Sequence, residues 1–377
     1  MGEKTTPVRV LHVLGKIGLN DGISSAVMNY YNKLDHSKLT FDFMLNEDAP
    51  PGMKAYIEGN GSKIYIMPKL KVANTLKYIK KLREFYKTAN YKIIHGHVAN
   101  SAVFYLGLAR DVPHKIIHSH STKLADIWWK RVRNWALTRF IKFVANNYIA
   151  CSEEAAKSLF GKNNNALILN NAIDVEKFAY NPIKREEIRN SLGICDKHVI
   201  GHVGRFSAQK NHDFLLSVFH EAYRENPNLV LMLLGDGELR DKIARKAEAL
   251  GLSDAVLFLG IRDNVYDYMS AMDVFAFPSL FEGLGIVGIE AQASGLRVIA
   301  STNVSRIIVI TGAVKFLRLD YKLWAKALLN EETINRADMG LIVQQSRYNI
   351  ETQLERLYKY YDGLVPYGHK AVINNKN

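Results

Sequence analysis

Along this chain short apolar runs alternate with longer segments of helical periodicity, and the alternation starts over near residue 198. Val8–Leu14, Phe41–Leu45, Lys63–Met67, Lys92–Val98, Lys115–His120, Asn147–Cys151 and Ala166–Leu169 have the length and composition of buried strands. Between them, Asn20–Tyr31 is predicted helical, with Asp21 or Ser24 near its N-cap, and Ser152 is predicted to cap a short helix. Leu76, Ile79, Leu82, Phe85 and Tyr86 recur at helical spacing, with lysines on the other face. His198–Val203, Leu229–Leu234, Val256–Leu259 and Asp273–Phe277 repeat the pattern, with helices from Asp213, Glu238 and Val265. Apolar strands alternating with helices form parallel sheets covered on both faces. At 377 residues the chain exceeds one compact core. The expected fold class is therefore α/β, with two Rossmann-like, doubly wound domains facing each other across a cleft. The polar stretch opened by Asn181-Pro182 sets the boundary, giving domains over 1–178 and 179–350. Residues 351–377 are expected to form a helix returning to the first domain, followed by a polar tail, Asn374–Asn377.

Charge divides unevenly between the halves. Residues 1–180 hold 26 Lys and Arg against 14 Asp and Glu, whereas residues 181–377 hold 24 against 23. A basic half points to an anionic partner, nucleic acid or membrane. No nucleic-acid-binding motif is present, and the aromatics of this half follow helical periodicity rather than forming a strand platform. The segment Asp126–Val144 mixes Trp128, Trp129, Trp135 and Phe140 with Lys130, Arg131, Arg133, Arg139 and Lys142, the pattern of an interfacial membrane helix. A solvated charged surface, with the tryptophans packed on the sheet, is the plainer alternative. No run is long enough to span a bilayer, and the first residues lack a signal-peptide core. Two cysteines, Cys151 and Cys195, give neither a disulfide framework nor a metal-binding spacing. A cytoplasmic protein, peripheral on the inner face of the membrane, is expected.

Ligands of parallel sheets sit beyond the C-terminal strand ends. Two His-x-His pairs fall there, His95-Gly-His97 and His118-Ser-His120. The first strand runs into a glycine-bearing turn and helix at Gly22, a weak anion-binding candidate. In the second half, Gly204-Arg205 follows a strand and Lys210 lies five residues on, a fork and a point charge suited to a diphosphate. Phe277-Pro-Ser-Leu-Phe-Glu282-Gly-Leu-Gly-Ile-Val-Gly-Ile-Glu290 leads from a strand through a loop into a helix. Backbone N–H groups of Leu284, Gly285, Ile286 and Val287 are candidates for an anion between two carboxylates. Such a loop suits a sugar nucleotide, whose diphosphate needs donors and whose hydroxyls need acceptors. Metal-dependent transferases use an Asp-x-Asp pair, and Asp236-Gly-Glu238 is the nearest match; neither a metal nor a cofactor is expected.

Gly204-Arg205, Lys210, Leu234-Gly-Asp-Gly-Glu238, Phe258-Leu-Gly260, Glu282 and Glu290 occur in this order in one domain. This strongly resembles the retaining glycosyltransferases of family 4, which have the GT-B fold. Arg9–Gly15, Met28–Tyr31 and Phe41–Phe43 extend the likeness to the bacterial exopolysaccharide and capsule branch. The resemblance implies transfer of a sugar from a nucleotide-sugar, UDP favoured, to a saccharide hydroxyl, with a lipid-linked acceptor favoured. It implies that Arg205 and Lys210 hold the diphosphate, that Glu290 accepts from the ribose, and that Glu282 lies beside the transferred sugar. Gly283–Val287 then underlie the sugar and phosphates, Arg262 touches the nucleobase, and His120 or His118 reaches the donor sugar. Two departures stand out: Asp21 precedes Gly22 where paired glycines are common, and Asn303-Val-Ser-Arg306 follows Ser301 where an acid is common. An epimerase or phosphorylase on the same fold, and a non-catalytic partner subunit, are the competing readings.

Overall fold

In the computed structural model, which describes residues 7–18, 22–120, 138–330 and 334–367, the chain divides into two compact units. One comprises Met1–Ala172 with Ile350–Asn377, the other Ile173–Asn349. Each is a parallel sheet with helices packed on both faces.

In the first unit the strands are β1 (Val8–Val13), β2 (Leu39–Leu45), β3 (Ile64–Ile66), β4 (Ile93–Gly96), β5 (His114–Ser119), β6 (Asn147–Ala150) and β7 (Leu167–Ile168). They are ordered β3-β2-β1-β4-β5-β6-β7. Successive residues of β1 point to opposite faces, and both faces are dry. Val10 packs with Phe41, Ile93, Leu354 and Leu357 on one side, and Leu11 with Ile94, Tyr78, Leu82 and Tyr105 on the other. The helix Ile350–Leu364 is part of the first of these faces. Its Tyr358 hydroxyl accepts from the Asp35 N–H, and Gln353 Oε1 accepts from the Asn170 N–H. Buried Asp42 is satisfied by Arg9, Tyr91 and the Lys63 N–H, so its charge lies inside the sheet edge without an orphaned oxygen.

The second unit orders β10 (Val256–Gly260), β9 (Leu229–Leu234), β8 (His198–Val203), β11 (Val274–Phe277), β12 (Arg297–Ser301) and β13 (Val314–Leu317). Its inner faces are built from Ile200, Leu231, Ala276 and Trp324 on one side and Met232, Phe275, Val298 and Ile289 on the other.

Local differences from the sequence reading have clear causes. The break falls between Ala172 and Ile173, ahead of the polar stretch, because Ile173 and Val175 already pack into the second core. Asn181-Pro182 does not open a linker: Asn181 caps the helix Pro182–Leu192, its side chain accepting from Lys184 N–H, with proline at the first turn. Ser24 lies inside the helix Gly22–Tyr31, its Oγ accepting from the Gly18 N–H, whereas Asp21 lies outside the described residues. Ser152 does cap its helix, Glu153–Phe160. On the helix Thr75–Thr88 the seam is Tyr78 and Leu82, and Leu76 is 84 % exposed. Most of the tryptophan segment, with Trp128, Trp129 and Trp135, lies outside the described residues, as does the tail Asn374–Asn377. No described helix is long and apolar enough to cross a membrane.

Candidate active site

Both sheets end in polar groups at the C-terminal edge. In the second unit, the loop after β8 is pinned to the loop after β11. Leu280 N–H donates to Gln209 O at 2.8 Å, and Asn211 Nδ2 to Pro278 O at 3.2 Å. Asn211 itself adopts a left-handed backbone at φ 57°, which asparagine tolerates. This pinning brings Lys210 Nζ to 2.7 Å from Glu282 Oε1. Ser279 Oγ donates to the same oxygen at 2.7 Å, and Gln209 Nε2 to Oε2 at 3.3 Å. Glu282 therefore carries three donors. Lys210 also packs over Gly204, where an added Cβ would stand 3.1 Å from Lys210 Cδ, so the glycine makes room for the lysine stem.

Arg205 pairs with Glu238 at 3.0 Å, both side chains more than half exposed. A surface pair of this kind is worth at most about 1 kcal/mol, so it does little to hold the Arg205 guanidinium in place. Gly235 holds the β9 end against β8: its φ is +130°, and a Cβ there would sit 2.1 Å from Gly204 O. Gly285, at φ +77°, turns the chain into the helix Ile286–Ala293, whose N-terminus has no side-chain cap. The unfilled first turn is available to an acceptor atom. Glu290, on this helix and half-buried, has its carboxyl pushed up to about 7 by burial, against the pull of Lys210 and Lys177. Arg262 is exposed after β10, its guanidinium 5.8 Å from the Tyr268 ring centroid. Lys210 and Glu282 are thus in contact, with Glu290 within electrostatic reach and Arg205 beginning the same loop. Arg262 makes no such contact.

In the first unit the two histidine pairs are joined by a fifth imidazole. β1 and β4 run in register, so His12 lies opposite His95, and β5 brings His118 alongside. His12 Nδ1 is 3.0 Å from His97 Nε2, His97 Nδ1 is 2.7 Å from His120 Nε2, and His95 Nε2 is 3.1 Å from His118 Nδ1. Tyr361 of the C-terminal helix bridges the two groups, 2.5 Å from His95 Nδ1 and 3.4 Å from His12 Nε2. Burial lowers all five basicities, His12 to about 3 and His120 to about 4, so these rings are neutral near pH 7. His97, His118 and His120 line a pocket of about 490 Å³ together with Lys16, Glu47 and Lys69. Ring nitrogens of His12, His95 and His97, and of His97, His118 and His120, lie within 4.8 Å of one another. Their close contacts are at hydrogen-bond spacing, the separation of nitrogens sharing a proton. Gly22 begins its helix in this unit, exposed.

Sequence reasoning passed over His12, Asn171, Tyr361, Ser279 and Gln209. Only His12 carried a signal: it stands on an apolar strand at the position level with His95.

The glycosyl transferases group 1 family model matches residues 184–314. EpsF of Bacillus subtilis (strain 168), named as a glycosyltransferase, is 34% identical over 375 residues, covering 92% of this chain and 97% of its own. An Escherichia coli relative, UDP-Gal:alpha-D-GlcNAc-diphosphoundecaprenol alpha-1,3-galactosyltransferase, is 25% identical over 80% of this chain and 81% of its own. Anabaena HepE, solved with UDP-glucose, shares the fold with a TM-score of 0.77 over 94% of this chain and 99% of its own, at 16% identity. The chain therefore belongs to the glycosyltransferase family of EpsF, and it is a sugar-transferring enzyme with the GT-B fold.

Proposed function

We propose that the enzyme is a retaining, metal-independent glycosyltransferase of family 4 that moves a sugar from a UDP-sugar to a hydroxyl of a lipid-linked saccharide in bacterial surface polysaccharide assembly. The observation that carries this reading is the contact of Lys210 with Glu282, 72 residues apart, at the strand ends where Arg205 also emerges. Arg205 and Lys210 hold the diphosphate and neutralise the charge that grows on it as the glycosidic bond breaks. The backbone of Gly283–Val287 lies under the sugar and phosphates, Glu290 accepts from the ribose, and Arg262 meets the nucleobase. Gly22 approaches a phosphate, and His118 or His120 reads a sugar hydroxyl. Glu282 holds the sugar in place: with Lys210, Ser279 and Gln209 all donating to it, its carboxylate is a poor nucleophile. The acceptor hydroxyl attacks the anomeric carbon on the face the nucleotide leaves. One C–O bond forms as the other breaks, and the proton passes to the leaving phosphate, with net retention.

The name of the Escherichia coli relative supports both the UDP donor and the diphospholipid acceptor. A peripheral site on an anionic membrane agrees with the surface of the first unit. Val72 is 96 % exposed beside exposed Lys69, Lys71, Lys77, Lys80 and Lys81, and Phe143 is 72 % exposed beside Lys142. Apolar side chains set among lysines are what an anionic bilayer surface binds.

The test is product analysis with radiolabelled UDP-sugars, GDP- and ADP-sugars as controls, a diphospholipid-linked sugar acceptor, and EDTA throughout. An α-linked product from a UDP-sugar is expected. No product with any donor, an inverted linkage, or loss of turnover in EDTA would each overturn the corresponding part. Vesicles with and without anionic lipid test the surface: Val72→Asp with Leu76→Asp should abolish flotation with the anionic set.

A further inference from the structure

The five imidazoles and Tyr361 form one unbranched row. It runs from Asn171 Oδ1 to His120 (3.2 Å), then His97, His12, Tyr361, His95 and His118. Each neutral imidazole carries one N–H and one lone pair, and the tyrosine one O–H. The row has six links and six protons, one for each link, so fixing the direction of any one link fixes them all. An amide oxygen only accepts. His120 Nδ1–H therefore donates to Asn171, which makes His120 Nε2 an acceptor for His97 Nδ1–H, and so on along the row. Every ring takes the Nδ1–H form, which free histidine in water disfavours. At the far end His118 Nδ1–H donates to His95, and His118 Nε2 is left as a bare lone pair. Among the described residues that nitrogen is buried without a hydrogen-bond partner, although His118 lines the pocket. His120 has no nitrogen to spare, since Asn171 and His97 occupy both.

We propose that Asn171 and Tyr361 are positioning residues that fix His118, through this row, in the Nδ1–H tautomer, so that its Nε2 accepts a hydrogen bond from a sugar hydroxyl. This rests on the sugar-transfer reading and selects His118 over His120 as the histidine that meets the sugar. The geometry explains why a buried array of five bases needs no charged partner, because with Asn171 and Tyr361 every ring nitrogen but His118 Nε2 is satisfied in series. It also makes recognition at His118 depend on a side chain at the other end of the row. The hydroxyl belongs to the donor sugar or to the acceptor, and the kinetics below separate the two.

The experiment is long-range proton–nitrogen correlation NMR on histidine-labelled protein, which reads the tautomer of each ring whether or not the enzyme turns over. In the wild type all five rings should be neutral and in the Nδ1–H form. Asn171→Ala should give His118 a mixture of tautomers, and Tyr361→Phe, which cuts the row between His12 and His95, should do the same. Asn171→Asp, whose oxygens only accept, should restore the single form, and this rescue separates direction-setting from a general packing role. With Asn171→Ala, KM for one of the two sugars should rise by the reciprocal of the remaining Nδ1–H fraction of His118, roughly two- to fivefold for a mixed population, with a smaller change in kcat. A rise in donor KM assigns the donor sugar, and a rise in acceptor KM the acceptor. Nε2–H rings in the wild type, an unchanged His118 tautomer in folded Asn171→Ala, or a bound divalent metal found by elemental analysis would overturn the proposal. Failure of sugar transfer with the tautomers as expected would sink the enzymatic reading alone.

Discussion

The two sheets share their parallel arrangement and differ in what they place at the C-terminal edge. The first ends in five neutral imidazoles bonded in series through Tyr361, the second in the charged groups Arg205, Lys210, Glu238 and Glu282, with the raised carboxyl of Glu290 on the helix that follows the Glu282 loop. The difference follows from depth. At the first edge His12, His95, His97 and His118 are at most 6 % exposed, where an isolated charge is costly and a neutral ring with one donor and one acceptor is not. At the second, Lys210 and Glu282 keep some access to solvent and each other for company, and Arg205 is open to water. One edge presents neutral donors and acceptors, the other charged groups.

The comparison can be broken where the charges are. Lys210→Ala should cut kcat/KM by roughly a hundred- to thousandfold, the scale for losing one donor to developing charge, while circular dichroism reports an intact fold. An equal loss in His95→Ala, which changes the other unit's edge, would erase the distinction between the edges.

Acid should separate the units next. Histidines held neutral in the folded state, His12 near 3 and His120 near 4, bind protons in the unfolded chain from about pH 6.5 downward. Their contribution to stability is full above that pH and is lost as pH falls through the folded values. His202, near 4, and His212, near 2, act in the same direction in the second unit, but there are only two of them. Domain-resolved hydrogen exchange should show the first unit opening at the higher pH. Glu290 acts with the opposite sign. Its carboxyl, raised to about 7, favours the folded state below the unfolded value near 4.5, and that contribution is lost as pH rises through 7. Glu290→Gln should remove this slope, and with it any change in donor KM between pH 6 and 8.

A smaller effect tests the loop that carries the charges. Gly285→Ala puts a side chain on a left-handed backbone with its Cβ 3.1 Å from the Phe277 ring, and should cost about 1–2 kcal/mol in chemical denaturation. Smallest of all, Glu238→Gln should alter stability by less than about 1 kcal/mol, because its pair with Arg205 is solvated; a larger loss would mean that the second edge is preorganised by its surface charges.

Much of this was legible in the chain because periodicity reports burial directly. The strands through β11 follow from apolar runs, and the loop from Phe277 to Glu290 announces itself by its proline, glycines and acids. β12, Arg297–Ser301, is not read as a strand, and β13, Val314–Leu317, escapes because Lys315 and Gly312 blur a short edge strand. Leu76 misleads because a helical stripe gives spacing and not which apolar residues find a neighbour. The histidine row escapes for a different reason. His12, His95 and His118 come together only through strand order, and Asn171 and Tyr361 join them from distant parts of the chain. Side-chain spacing along a sequence carries no trace of that closure.

Tyr361 belongs to the last described helix, yet it completes a sheet whose first strand begins at Val8. During synthesis the first unit emerges early and waits. Its row of rings lacks a link, and its face over Phe41 and Ile93 lacks Leu354 and Leu357, until the whole second unit has left the ribosome. The first unit is thus begun before the second and finished after it, and a nascent chain stalled before Ile350 presents an incomplete core however long it is given to fold.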